Sequence, residues 1–82
     1  MRILLDQLAD GARGTVQGVC AQSPDLDAGM LRRLVELGFI AGEPVQVLRR
    51  GPGGRDPLAV RVGDTLFALR RAEARCIEVL AD

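Results

Sequence analysis

Histidine, lysine, tyrosine and tryptophan are all missing from this 82-residue chain, and serine occurs once, at Ser23. A Ser-His-Asp or Cys-His nucleophilic arrangement therefore cannot be assembled within it. Carboxylates remain for acid–base work, and Asp25 with Asp27 is one such pair. Their place at the start of an expected helix makes dipole complementarity the better account of them. Aromatics are limited to Phe39 and Phe67, too few for a base-stacking platform. All eleven basic residues are arginine, and eleven acidic residues balance them to a formal net charge of zero. Nucleic-acid binding draws on an excess of positive charge, so this balance argues against it. No residue is assigned as catalytic, cofactor-binding or metal-ligating, and neither an enzyme activity nor a cofactor is expected.

Cysteine is scarce as well. Cys20 and Cys76 form no CxxC pair, and with no histidine beside them no structural metal site is indicated. Both fall on expected strands, where a free thiol behaves as a small hydrophobe. A ferrous site would want carboxylates or imidazoles converging, and nothing clusters that way. Long apolar runs are also absent. Ile3-Leu4-Leu5 stops at Asp6, too short for a signal-peptide core, and no stretch nears the ~20 apolar residues that cross a bilayer. The chain reads as cytoplasmic, with reduced thiols and no direct membrane insertion.

What the chain does hold is aliphatic. Hydrophobic residues make up 48% of it, enough for the modest core of a single domain over residues 1–82. Leu4 to Gly11 is too short for a full helix and reads as one turn that seats Leu5 and Leu8. Arg13 to Cys20 alternates as a strand, and its interior Gly14 and Gly18 point to a bend or bulge. A helix comes next, with Ser23 as N-cap and Pro24 at its first position. Leu26, Met30, Leu31, Leu34 and Leu37 form its apolar face, and Gly38 closes it. Gly29, costly in a helix interior, marks either a close approach to the barrel or tolerated slack.

Everything after Phe39-Ile40-Ala41-Gly42 reads as β. Pro44–Arg50 is a strand, 51–57 a glycine/proline loop, and Leu58–Val62 a strand with Leu58, Val60 and Val62 inward. The loop lacks the GxxxxGK[ST] pattern of a phosphate cradle. Gly63-Asp64 is a hairpin turn, Thr65–Arg70 a strand, Arg71–Arg75 a helical corner and Cys76–Leu80 the last strand. About five short strands with one inserted α-helix, mainly β, make a small antiparallel β-barrel. Three arginine pairs (Arg32-Arg33, Arg49-Arg50 and Arg70-Arg71) either lie on solvated faces or engage an acidic or nucleotide-bearing partner.

Four pieces in order carry a family resemblance. They are Leu5-Asp6-Gln7-Leu8-Ala9-Asp10-Gly11, then Arg33 to Gly42 with its Leu37-Gly38-Phe39 turn, then Asp56 to Gly63, then Leu66 to Val79. Together the chain resembles the FeoA family over almost its whole length. The resemblance implies an SH3-like barrel in the cytosol that works with the ferrous iron transporter FeoB, which has a membrane domain and a cytosolic G-protein domain. It implies binding to FeoB and modulation of iron uptake, without catalysis. In 21–27 no residue carries over. A polyproline groove of the eukaryotic SH3 kind is excluded, because no Trp or Tyr is present to line one.

The inserted helix is then the expected contact, with Leu31 and Val35 near the edge of its apolar face and Arg32 and Arg33 bordering the partner interface. An alternative is a GTPase-modulating regulator that supplies an arginine (Arg32, Arg33 or Arg49) to the FeoB G domain. Another is a metal-linked transcription-regulator domain, since the same fold ends the chains of DtxR-type repressors. Val19, Leu48 and Leu80, on the parity opposite the core, either provide for weak self-association or cover the inserted helix.

Overall fold

The computed structural model describes the backbone of residues 1–82 and all side chains except those at positions 54 and 55. In chain order the elements are β1 (Arg2–Leu4), a 3-10 turn (Leu5–Gln7), β2 (Arg13–Val19), α1 (Ala28–Leu37) and β3 (Pro44–Gly51). A second 3-10 turn (Pro52–Gly54), β4 (Arg55–Val62), β5 (Thr65–Leu69), α2 (Arg71–Ala74) and β6 (Ile77–Ala81) complete the chain. The six strands form one antiparallel sheet in the order β1-β6-β2-β3-β4-β5.

The architecture is the expected small β fold with one inserted helix, plus a sixth strand. That addition is β1, where Arg2, Ile3 and Leu4 pair with Leu80, Val79 and Glu78 of β6. Three residues carry too little alternation to announce a strand, yet they suffice to extend a sheet edge. The expected 51–57 loop also shortens, because β4 begins at Arg55 and only the 3-10 turn separates it from β3.

Alternation places the core. Val45 and Val47 of β3 and Leu58, Val60 and Val62 of β4 are all buried, as are Leu5 and Leu8 of the first turn. Phe39 is fully buried, and its ring lies 5.8 Å from that of Phe67 at a 45° tilt. Such a pair contributes about 0.5–1.5 kcal/mol beyond the area it buries. At Gly14 a Cβ would lie 2.5 Å from Val79 Cγ1 and 2.7 Å from the Leu80 carbonyl oxygen. Only glycine lets β2 approach β6 this closely.

Two bulges decide which side chains face inward. Between β2 and β6 the register runs Val16↔Val79 and then Gly18↔Glu78, so Gln17 is the extra residue. The slip brings Val19 opposite Ile77 and against the core, not onto the outer parity expected for it. Between β3 and β4 the register runs Val47↔Val60 and then Arg49↔Ala59, leaving Leu48 as the extra residue. Arg50 thereby pairs with Leu58, whose side chain is buried. A bulge switches the parity of every later residue in its strand.

Candidate interaction face on helix α1

The helix starts later than its sequence signals indicate. Asp27, not Ser23, is the N-cap, and its Oδ1 accepts the Met30 N–H at 2.8 Å. Ser23 Oγ accepts the Asp25 N–H at 3.1 Å, a local turn that engages the hydroxyl ahead of the helix. Leu26 is buried, but it precedes the helix. A Cβ on Gly29 would lie 3.3 Å from Asp27 Oδ1. The glycine makes room for the cap rather than for the barrel. At the other end Gly38, at φ 117°, donates its N–H to the Leu34 and Val35 carbonyls and ends the helix.

Leu31 and Leu34 turn inward and are buried. Of the four residues expected at an interface, Leu31 therefore belongs to the core, while Arg32, Arg33 and Val35 reach solvent. Val35 is 42% exposed, and Met30 and Ile40 are each 45% exposed. At about 100° per residue, Met30 and Val35 flank the Leu31–Leu34 stripe on opposite sides. The same geometry sets Arg33 beside Met30 and Arg32 beside Val35. Met30, expected on the buried face, sits in the first helical turn and overhangs the end of the stripe. Ile40 lies in the turn after the helix, where periodicity carries no signal.

The other arginine pairs are used differently. Arg49 is exposed, whereas Arg50 pairs with the Asp10 carboxylate and donates from Nη2 to the Asp6 and Leu8 carbonyls at 2.6 and 2.8 Å. The Arg70 N–H is accepted by Glu73 Oε1 at 2.7 Å, and the Arg71 N–H by Asp56 Oδ1 at 2.6 Å. Arg71 Nε and Arg75 Nε lie 3.8 and 3.6 Å from Asp6 Oδ2. Among the described residues, none of these ion pairs involves Arg32, Arg33 or Arg49.

Chemically, then, α1 offers two uncommitted guanidinium groups interleaved with half-exposed aliphatics. That composition suits a protein surface with an apolar centre and carboxylates or phosphates at its edge. A second feature is a shallow hollow of about 380 Å³ lined by Arg13, Thr15, Pro44, Gln46, Arg61 and Asp82. The Asp82 side chain places a carboxylate among its arginines. Among the described residues no three His, Cys, Asp or Glu side chains converge as a metal site would require. Nor, among them, is any helix long and apolar enough to cross a membrane.

A family model for the FeoA domain matches residues 3–81. The chain belongs to the FeoA family. Its fold is similar to that of a zinc-complexed FeoA from Stenotrophomonas maltophilia, with 40% identity and a TM-score of 0.78. That similarity covers 98% of this chain and 89% of the other, which is described as a prokaryotic SH3 domain protein and put forward as a bacterial ferrous iron transport activating factor. FeoA from Chlorobium tepidum is similar at 37% identity and a TM-score of 0.79, over 96% of this chain and 70% of that one. A manganese-dependent transcriptional repressor is similar at 26% identity and a TM-score of 0.75, over 99% of this chain but only 42% of the repressor. Among curated proteins, none matches this sequence. The SH3-like FeoA barrel is thus the fold, and in it both aromatic rings face the core, Phe39 within it and Phe67 packed against it.

Proposed function

We propose that this FeoA domain is a cytosolic, non-catalytic accessory of ferrous iron uptake that docks on the cytosolic part of a FeoB-type transporter. The observation that carries the proposal is the FeoA match across residues 3–81. The docking face is the outer side of α1, where Arg32, Arg33 and Val35 stand with Met30 and Ile40. Leu31 holds that face in place from beneath. Titrating the purified cytosolic part of a FeoB transporter into the chain is expected to give saturable binding. An absence of binding at high micromolar protein would sink the docking model.

A second reading keeps the partner and changes the effect. Arg32, Arg33 and Arg49 are exposed, and none takes part in the ion pairs found among the described residues. Any of them is free to enter a nucleotide site and stabilise charge on a transferring phosphoryl group. Measuring GTP turnover by the partner with and without the chain separates the readings. Real binding with unchanged turnover leaves the docking role alone standing. The repressor-domain alternative has the least support, since the shared fold spans less than half of the repressor.

A further inference from the structure

Cys20 and Cys76 are separated by most of the chain, yet the fold brings them together. In the β2–β6 ladder Val19 pairs with Ile77, so the next step outward sets Cys20 opposite Cys76. The Cys20 N–H donates to the Cys76 carbonyl at 2.8 Å, which joins the two backbones directly. The reciprocal bond is not made, because the Cys76 N–H donates to the Glu73 carbonyl at the end of α2. Opposed residues in an antiparallel ladder lie about 4.5–5.5 Å apart at Cα, inside the range that a disulfide spans. Opposed residues in such a ladder also point to the same face of the sheet, so the two side chains are neighbours. Cys76 is buried and its Sγ lies 3.5 Å from the Ala72 carbonyl oxygen, whereas Cys20 is half-buried and within reach of solvent.

We infer that Cys20 and Cys76 form a dithiol site that hydroperoxides oxidise to an intrachain disulfide, stapling the end of β2 to the start of β6. In the first step the Cys20 thiolate attacks the peroxide. The O–O bond breaks, an S–O bond forms, and the alcohol or water leaves once protonated. Cys76 sulfur then displaces the hydroxyl from the Cys20 sulfenic acid, forming the S–S bond and releasing water. Each sulfur gives up one electron, and the peroxide takes both.

The site is slow by construction. Burial first, and then the neighbouring Cys76 thiol, push the Cys20 thiol above its ordinary range, against the smaller opposing effect of the Gln22 and Cys20 backbone amides. Little thiolate is present at neutral pH, so oxidation accelerates as pH rises. The dithiol therefore closes slowly under oxidant at neutral pH. The closed form ties down the residue from which the 21–27 connection to α1 departs.

Treating the full chain with excess hydrogen peroxide tests the proposal, read by intact mass, thiol titration after denaturation and peptide mapping. The expected product is a monomer that has lost two hydrogens and both free thiols, with one peptide linking Cys20 to Cys76. Dithiothreitol restores the starting mass. Cys20→Ser, at the half-buried position, removes the loss of hydrogens, and Cys76→Ala leaves a sulfenic acid on Cys20 that dimedone traps. The oxidised wild type melts higher, by on the order of 10 °C for a staple closing a loop of this length. Three results would overturn the inference: both thiols retained, oxygen gained on Cys20 without loss of hydrogens, or disulfide-linked dimers in place of the internal bond.

Discussion

Arg50 and Arg33 are the same residue type, each in a pair of consecutive arginines, yet they stand in opposite circumstances. Arg50 is held at the 3-10 corner, where its guanidinium meets the Asp10 carboxylate and the Asp6 and Leu8 carbonyls. Those carbonyls belong to a turn too short to satisfy itself, and the planar fork of arginine reaches both at once. Arg33 stands exposed on α1, and Arg32 beside it likewise. The corner uses arginine to complete backbone hydrogen bonding, whereas the helix leaves it unmatched at the surface. Folding therefore accounts for the placement of Arg50, whereas it leaves Arg32 and Arg33 exposed.

The comparison breaks first if α1 is not held by its inner stripe. Leu34→Ala is expected to cost about 2–5 kcal/mol, because the leucine is 1% exposed and its loss opens a cavity. Urea unfolding monitored by circular dichroism measures it, and a loss below about 1 kcal/mol would mean the helix depends on its outer face. Arg50→Met comes next. It keeps the stem but strips two carbonyls of their donor, which costs about 1–3 kcal/mol. Matching losses from Arg33→Met would erase the distinction between the two regions. The capping residues rank third. Asp27→Ala is expected to cost about 1 kcal/mol, and Ser23→Ala clearly less, because only Asp27 caps the helix. Equal costs for the two would move the helix start back to Ser23.

The different fates of the arginines also mark where the sequence stops being legible. Period-2 alternation in 45–47 and 58–62 and the three-residue spacing of Leu31 and Leu34 place the core directly, because solvent exclusion acts on each side chain by itself. Gly38 announces the helix end for a local reason too, its left-handed φ. The identity of the bulge residues is another matter. Gln17 and Leu48 carry no glycine signature of their own, and each shifts the parity of the residues after it. Hence Val19 turns to the core and Arg50 to the corner, neither of which alternation alone predicts. The meeting of Cys20 with Cys76 is hidden similarly, since it depends on the register of β2 on β6. Leu31 shows the limit on the functional side, for periodicity places it on the apolar face without saying whether that face is covered.

The smallest expected effect on folding belongs to α1's outer face, and it decides what that face is for. Arg32→Ala, Arg33→Ala and Val35→Ala are each expected to shift stability by within about 0.5 kcal/mol, as substitutions at exposed positions do. Binding to the cytosolic part of a FeoB transporter is a separate quantity. There the same substitutions are expected to weaken affinity by roughly tenfold or more, the scale of an arginine or apolar anchor losing its pocket. The contribution of Arg32 and Arg33 is also expected to fall with added salt, because exposed charges are screened within about 10 Å at 0.1 M. Arg49→Ala serves as the control, being an exposed arginine on β3 rather than on the helix. If Arg49→Ala weakens binding while the α1 variants do not, the contact lies near the tip of the β3–β4 hairpin. If none of them matters, the surplus arginine on α1 is a solvated face and nothing more.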